Sequence, residues 1–410
     1  MLVFFHNGCK KGHAKRGRKR STLKKRQERR PEYFFKTTGN KKHMKKAVYL
    51  DYNATAPVKP EVLSLMTTVL GETGNASSVH VYGRKARSHI EKARRQVGDL
   101  VKSRPDRVVF TSGATEANNT VIKGFAGKQV WISAIEHPSV LETCPHAKVM
   151  PVSASGRLDL EDLRENLEKG PLPDLISVML VNNETGVIQP LEEITKLAHK
   201  HGIPVHTDAV QASGRININF DALGVDMLSL SAHKFGGPLG AGALVYRKGM
   251  DPFRLLCGGG QEKKARAGTE NVAAIAGFGK AAELALSDFD KYQTLGRLRD
   301  RLESEVRRAS NTAVIYGSNA PRVVNTSCIG LSGIPAETQL MKLDLEGIAV
   351  STGSACSSGS IRPSHVLHAM NVSDKEAASA LRISMGWATK EEDIDHFLEI
   401  WSNMVRKFNA

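Results

Sequence analysis

Two periods of hydrophobic and polar residues alternate along the chain from about residue 47. Short apolar runs rich in β-branched residues, typical of buried strands, alternate with stretches in which apolar residues recur every three or four positions, as in amphipathic helices. The predicted strands are Arg107–Thr111, Gln129–Ser133, Leu175–Val181, Ile203–Thr207, Met227–Leu230 and Gly242–Tyr246. The predicted helices are Pro60–Leu70, Arg84–Leu100, Glu116–Lys123, Leu158–Glu168 and Leu191–His201. This alternation predicts an α/β fold with a mostly parallel sheet.

The pattern changes after residue 250. Two long helices are predicted there, Val272–Leu286 and Asp290–Arg308, followed by mixed strand and helix segments. We therefore expect a large domain over residues 47–250. Residues 251–410 are expected to contain helices that complete the large domain and a smaller α+β domain.

The positive charge of the chain is concentrated at one end. The chain has 58 lysine and arginine residues and 42 acidic residues. Residues 1–46 contain 17 of the basic residues and two of the acidic ones, which gives this segment a net charge of +15. The other 364 residues are nearly neutral, with 41 bases and 40 acids. We expect residues 1–46 to be a disordered extension. Three interpretations of this extension are a nucleic-acid-binding arm, an organelle transit segment and sequence upstream of the natural translation start. We favour the third, with Met44 as the natural first residue.

Five scattered cysteines form neither a disulfide framework nor a CxxC metal motif, which indicates a reducing compartment. No apolar run approaches the roughly 20 residues of a membrane-spanning helix. The sequence therefore predicts a cytoplasmic protein without a bound metal.

Polar residues follow several predicted strands, where ligands collect in doubly wound sheets. The run Thr111-Ser112-Gly113-Ala114-Thr115 ends a strand and opens a helix, a turn suited to phosphate but also common as a simple helix cap. Asp208 and Lys234 follow later strands. A lysine in a partly desolvated site can form a Schiff base, and a carboxylate can keep a cofactor's pyridine nitrogen protonated. The alternative for this pair alone is an ordinary salt bridge.

Further motifs resemble the class V aminotransferase family, most closely its cysteine desulfurases of the NifS/IscS type, over nearly the whole body of the chain. The matching segments are Tyr-Leu-Asp-Tyr-Asn-Ala-Thr-Ala-Pro (49–57), Thr-Ser-Gly-Ala-Thr-Glu (111–116), Glu-His (136–137), Asn-Asn-Glu-Thr-Gly (182–186), His-Thr-Asp (206–208), His-Lys (233–234), Gly-Gly-Gly-Gln-Glu and Arg-Ala-Gly-Thr-Glu-Asn (within 258–271) and Gly-Ser-Ala-Cys-Ser-Ser-Gly (353–359). The resemblance implies the fold-type I architecture of pyridoxal-phosphate transferases and pyridoxal 5′-phosphate as cofactor.

The resemblance also implies roles for individual residues. Lys234 would anchor the cofactor, Asp208 would pair with its ring nitrogen, and His137 would stack on the ring and shuttle protons. Gln211 and Asn183 would lie near the ring hydroxyl or the substrate. The phosphate would be held by Thr115, Ser231, His233 and, from the other subunit of a homodimer, Thr269, and Ala114 would also bind the cofactor. Arg382 would grip the substrate carboxylate with two parallel hydrogen bonds.

Cys356 distinguishes a sulfur-transfer enzyme from a general transaminase. Its neighbours are glycine, serine and alanine, which suit a mobile surface loop better than a core. Cys144, Cys257 and Cys328 lie in more apolar or strand-like sequence and are expected to be structural. Ser364 and His365 would start a helix that anchors the loop.

The implied activity is the conversion of L-cysteine to L-alanine with a persulfide on Cys356. The sulfur would pass to an acceptor or iron–sulfur scaffold protein, and Cys356 would contact a cluster transiently. Two alternatives remain: a selenocysteine lyase, and a nucleic-acid-binding protein that uses the basic extension. Two positions depart from the family pattern, Ala232 in place of glycine and Trp387 in place of arginine.

Overall fold

The computed structural model describes residues 47–251, 253–352 and 364–409. The basic extension over residues 1–46, with its proposed start at Met44, lies outside the described residues, as does the segment that carries Cys356.

Helices and strands alternate through most of the described chain. The helices are α1 (Pro60–Leu70), α2 (Val81–Leu100), α3 (Ala114–Gly124), α4 (Pro138–Leu141), α5 (Leu160–Lys169), α6 (Leu191–Lys200), α7 (Phe220–Leu223), α8 (Val272–Ser287), α9 (Phe289–Gln293), α10 (Leu295–Ala309), α11 (Ala336–Leu345), α12 (His365–Ala369), α13 (Asp374–Ala377) and α14 (Glu391–Asn409). The strands are β1 (Val48–Tyr49), β2 (Val108–Thr111), β3 (Val130–Ser133), β4 (Lys148–Met150), β5 (Leu175–Ser177), β6 (Val205–Asp208), β7 (Met227–Ser231), β8 (Gly242–Tyr246), β9 (Ala313–Tyr316), β10 (Thr326–Leu331), β11 (Ile348–Ala349), β12 (Ser351–Thr352) and β13 (Ala380–Ser384). Short 3₁₀ helices span Pro105–Arg107, Ala232–Lys234 and Glu262–Lys264.

The largest sheet of the described chain has seven strands, in the order β2-β8-β7-β6-β5-β3-β4. The five strands from β7 to β4 run parallel, and β8 is antiparallel to both of its neighbours. Helix α8 packs closely on α2, because a Cβ added at Gly279 would lie 2.5 Å from the Cα of Ala93. The predicted α/β fold with a mostly parallel sheet is confirmed.

A second, antiparallel sheet has the order β12-β13-β10-β9. Its hydrophobic cluster includes buried residues of α10, α11 and α14, among them Leu302, Leu343 and Trp401. Helix α8, by contrast, contributes Ala274, Ile275 and Phe278 to the core under the large sheet. The domain boundary expected near residue 250 stays a prediction.

One connecting segment, residues 50–56, runs from the small sheet to the large one. Ser384 at the end of β13 donates its backbone N–H to Leu50 O at 2.8 Å. Further along the segment, the backbone N–H of Ala56 donates to His233 O at 2.8 Å. The segment therefore joins the small sheet to the turn that carries Lys234.

Two predicted elements differ markedly from the structure, and one edge strand of the large sheet was missed. The single helix predicted over 290–308 is wrong, because α9 and α10 are separate helices divided at Thr294. The Thr294 hydroxyl donates to Lys291 O at 2.7 Å, a local bond that competes with helix continuation. The strand predicted from Leu175 ends at Ser177, although Val178 and Leu180 still donate backbone hydrogen bonds to β6. Strand β4 was not predicted, since three residues at the sheet edge are too few to show a periodic pattern.

The cysteines of the described chain differ in burial. Cys328 is buried in β10, whereas Cys257 is exposed, so a structural packing role for Cys257 is wrong. Its sequence neighbours Leu255 and Leu256 suggested an apolar setting, but Leu256 is itself 42% exposed.

Within the described ranges, no helix has both the length and the apolar character needed to cross a bilayer.

Candidate active site

A cavity of about 370 Å³ lies where β2, β6 and β7 end and the adjoining turns begin. Nine of the residues predicted from the sequence line it: Ala114, Thr115, His137, Asn183, Asp208, Gln211, Ser231, His233 and Lys234. They come from separate turns that the sheet order places side by side. The expected clustering at the carboxyl ends of the strands therefore occurs.

One end of the cavity is formed by the N-terminus of α3. A Cβ added at Gly113 would have no heavy atom within 4 Å, so the backbone there faces open space. Free N–H groups at a helix N-terminus, together with the positive end of the helix dipole, favour an anion such as phosphate. The side chains of Ser231 and His233 line the same cavity.

Glu116, which was not assigned a role from the sequence, stabilises this turn. Its carboxylate accepts hydrogen bonds from the backbone N–H of Ser112 at 2.8 Å and from Arg266 Nε at 2.9 Å. Burial opposes ionisation of Glu116, but the hydrogen bonds from Arg266 and Ser112 outweigh it and lower its pKa. The ion pair thereby ties the 258–271 segment to the start of α3.

Asp208 is held in a fixed orientation at the end of β6. Its Oδ2 accepts a hydrogen bond from Asn118 Nδ2 at 2.7 Å, and its Oδ1 accepts one from the backbone N–H of Val210 at 3.0 Å. The side chain is buried, with the residue only 6% exposed. A buried carboxylate with this support is suited to pairing with a protonated ring nitrogen.

Lys234 lies in the 3₁₀ turn between β7 and β8. Its Nζ donates to the backbone carbonyls of Asn53 and Ala54, both at 2.8 Å. Burial lowers the pKa of this amine to about 8, with further lowering by Arg215 and Arg382 and opposition from Asp208 and Asp51. A lysine with a depressed pKa has a much larger neutral, nucleophilic fraction near neutral pH than an exposed lysine.

His137 caps the short helix α4 and faces the cavity. Its Nδ1 accepts a hydrogen bond from the backbone N–H of Ser139 at 3.1 Å and lies 2.8 Å from Ser139 Oγ. Burial lowers the pKa of His137, and the nearby Lys234 lowers it further, against the effect of Asp208. The imidazole is therefore neutral at pH 7 and able to accept a proton.

Two predicted site residues, Arg382 and Thr269, are described but do not line the cavity. Arg382 is buried in β13, where Nη2 donates to Asp51 Oδ1 at 2.8 Å and Nη1 to Asn183 O at 3.3 Å. It therefore reaches the edge of the cavity through Asn183, and its role toward a substrate carboxylate stays a prediction. Thr269 is exposed, and its predicted reach into another subunit is untested. Cys356 lies outside the described residues.

Asn53 is the main site residue that sequence reasoning missed. Its backbone carbonyl accepts from Lys234 Nζ and from Gln211 Nε2 at 3.0 Å, and its side chain bonds Arg215 and Thr326. The available signal was its place in the 49–57 segment that carries the family resemblance. Its role depends on contacts across 181 positions, which spacing in the sequence does not reveal.

The two departures from the family pattern leave the cavity intact. Ala232 is fully buried, and Lys234 still lines the cavity two positions later. Trp387 donates its indole N–H to Pro57 O at 3.0 Å and lines a different cavity, with Lys59 and Tyr292.

These residues fit a phosphorylated aldehyde cofactor. The open turn at Gly113 suits its phosphate, Lys234 offers an amine with a lowered pKa, and Gln211 Oε1 is buried without a hydrogen-bond partner in the described chain. No cluster of three or more potential metal-binding side chains was found among those same residues. Fold and site together define a fold-type I pyridoxal-phosphate-dependent enzyme.

Comparisons with known proteins agree. The aminotransferase class-V family profile matches residues 48–397. "Cysteine desulfurase IscS" of Dictyoglomus turgidum is 44% identical over 382 residues, covering 90% of this chain and 96% of that protein. "Cysteine desulfurase IscS" of Methanosarcina thermophila is 41% identical, covering 88% and 93%. The X-ray structure of a NifS-like protein from Rickettsia africae superposes with a TM-score of 0.82 at 36% identity, covering 88% and 99%. The chain belongs to the aminotransferase class-V family and, within it, to the cysteine desulfurases of the NifS/IscS type.

Proposed function

We propose that this enzyme converts L-cysteine to L-alanine and keeps the sulfur as a persulfide on Cys356. The observation that carries the proposal is the Lys234 amine, whose pKa is lowered to about 8, in one cavity with buried Asp208 and the open N-terminus of α3. The two alternatives, a selenocysteine lyase and a nucleic-acid-binding protein, are not favoured, because the relatives are named cysteine desulfurases.

The cofactor, when bound, supplies an electron sink that stabilises negative charge at the substrate Cα. Ala114, Thr115, Ser231 and His233 would hold its phosphate, Asp208 its ring nitrogen, and Lys234 its aldehyde carbon. The neutral Lys234 amine would take the proton from the substrate Cα, and neutral His137 would accept and return protons in the same cavity. Arg382 and Asn183 would orient the substrate.

The sulfur step balances without an added oxidant or reductant. The Cβ–S bond of the substrate breaks as a bond forms between the substrate sulfur and the Cys356 sulfur. One protein thiol and one cysteine give one protein persulfide and one alanine, and the alanine methyl group gains its hydrogen from the thiol protons. An acceptor thiol, on a sulfur-acceptor or iron–sulfur scaffold protein, would then take the terminal sulfur.

Two substitutions test this assignment. Lys234→Ala should lose the visible absorbance of the bound cofactor, because the amine that holds it is gone.

Cys356→Ser should keep that absorbance but lose sulfide release in the presence of a reductant. Cys257→Ser is the matched control, since Cys257 is an exposed free cysteine, and it should behave as wild type. Full sulfide release by Cys356→Ser would refute the role of Cys356.

Three further parts of the proposal concern the setting of the enzyme. We propose a homodimer, with Thr269 completing the phosphate site of the other subunit, and a reducing, cytoplasmic compartment. The compartment is supported by Cys144, Cys257 and Cys328, which are all free thiols. The physiological acceptor would be a sulfur-acceptor or iron–sulfur scaffold protein.

A further inference from the structure

A buried arginine lies on the far side of Asn53 from Lys234. Arg215 is only 1% exposed, and its Nη1 donates to Asn53 Oδ1 at 2.7 Å. The backbone carbonyl of the same asparagine accepts from Lys234 Nζ at 2.8 Å. Asn53 thus bridges the two basic side chains, with its amide oxygen bound to Arg215 and its backbone oxygen bound to Lys234.

Within the described residues, Arg215 differs from Arg382, the other cation near Lys234, in its lack of an acidic partner. Arg382 is paired with Asp51, and Asp208 accepts from Asn118 and Val210. In the described part of the chain, Arg215 Nε and Nη2 have no hydrogen-bond partner and no acid pairs with the guanidinium. An arginine stays charged in proteins, so its positive charge here is not neutralised locally.

The remaining groups facing Lys234 do not cancel this charge. His137 and His233 line the same cavity, and burial lowers the pKa of both, to about 4 in the case of His233, so both are neutral at pH 7. Asp208 and Asp51 favour the charged amine, while Arg215 and Arg382 disfavour it. Of the two cations, Arg215 is the one without a bound carboxylate.

We propose that Arg215, held by Asn53, is a positioning residue that keeps the Lys234 amine neutral and therefore ready to capture the cofactor. The inference rests on the proposed role of Lys234 as the cofactor anchor. Asn53 fixes the direction of the amine, and Arg215 disfavours its protonation. A neutral residue at position 215 would remove this charge from the neighbourhood of Lys234.

The test measures the protonation of Lys234 directly, in cofactor-free protein. The pH dependence of Lys234 labelling by an amine-reactive reagent is followed by mass spectrometry of the peptide that contains it. In Arg215→Gln the labelling midpoint should rise by roughly one pH unit, because a like charge is removed. Arg215→Lys keeps the charge and should stay near the wild-type midpoint. Arg247→Met, which removes an arginine paired with Asp226, is the control.

The same variants are then loaded with pyridoxal phosphate. At pH 7.5 the rate of cofactor capture by Arg215→Gln should fall about tenfold, since each unit of pKa changes the neutral fraction about tenfold. An unchanged labelling midpoint in Arg215→Gln would overturn the inference. If Arg215→Gln does not fold, Arg215→Met provides the same comparison. Loss of the anchor role itself would appear differently, as cofactor absorbance that survives Lys234→Ala.

Discussion

Glu136 illustrates how burial decides the protonation of a single residue. It lies next to His137, is fully buried, and accepts hydrogen bonds through Oε1 from Ser133 Oγ and from the backbone N–H of Met179 at 2.7 Å. Burial raises its pKa to about 8, the hydrogen bonds from Ser133 and Met179 oppose this, and Asp208 adds to it. Glu136 is therefore mostly protonated at neutral pH.

This shifted pKa predicts a pH-dependent stability. The folded state binds the proton up to about pH 8, whereas the unfolded chain releases it near 4.5, so wild-type stability falls as the pH rises through that window. Glu136→Gln mimics the neutral acid and removes this loss. We expect urea unfolding to show that the free energy of unfolding of the variant increases relative to wild type as the pH rises from 5 to 8, by up to about 1.4 kcal/mol per pH unit.

The control for Glu136→Gln is Glu61→Gln, at an exposed position on α1. Its unfolding free energy should follow wild type across the same pH range. A constant difference between Glu136→Gln and wild type from pH 5 to 8 would contradict the assignment of Glu136 as a protonated buried acid.

At the scale of elements, α12 is joined to the site by its cap. Ser364 Oγ accepts from the backbone N–H of Leu367 at 3.0 Å and donates to the buried carboxyl of Glu184, next to Asn183. His365 Nε2 is 2.9 Å from Glu136 O. The sequence-based prediction that Ser364 and His365 start a helix is confirmed, but the partners Glu184 and Glu136 were not foreseen.

Substitution of the Ser364 cap should lower the free energy of unfolding more than substitution of an exposed helix cap. Ser364→Ala loses the cap hydrogen bond, which should lower the free energy of unfolding by about 1 kcal/mol. It also leaves the buried carboxyl of Glu184 without Ser364 as its partner, which should lower that free energy by roughly a further 1–3 kcal/mol. Ser373→Ala is the matched control, because Ser373 forms an exposed capping box on α13 with Glu376 and should cost about 1 kcal/mol or less. Urea unfolding of both variants provides the comparison, and equal losses would refute a special role for the Ser364–Glu184 contact.

Sequence patterns predicted the elements with the strongest periodicity. Helix α1 and strand β8 were predicted with their observed bounds, since a regular apolar face and a short, mostly apolar run are local signals. The division at Thr294 and the edge strand β4 were missed because each depends on contacts that local periodicity does not encode. In the site, motif residues such as Lys234 were identified, whereas Asn53 and Arg215 act through partners distant in the sequence.

At the scale of the whole molecule, charge distribution leads to another prediction. Residues 1–46 carry a net charge of +15, and the rest of the chain carries +1. Deletion of residues 1–43 should abolish retention on a heparin column at about 0.1 M salt, because electrostatic binding to polyanions follows the local basic charge. Cofactor absorbance and sulfide release should be unchanged.

The full-length chain at high salt is the control for this deletion, and it should elute like the truncated protein. Strong heparin retention by the truncated protein would show instead that a basic surface lies on the folded body. A change in cofactor absorbance would assign the extension a part in the site.

The connecting segment at residues 50–56 also has a consequence for folding. During synthesis, the β7–β8 hairpin can form from neighbouring residues and present Lys234 early. Asn53, however, is held by Ser384 and Thr326, which emerge from the ribosome much later. Long-range contacts of this kind form slowly. Cofactor capture should therefore be a late event in refolding, and recovery of visible absorbance should lag behind recovery of helical circular dichroism.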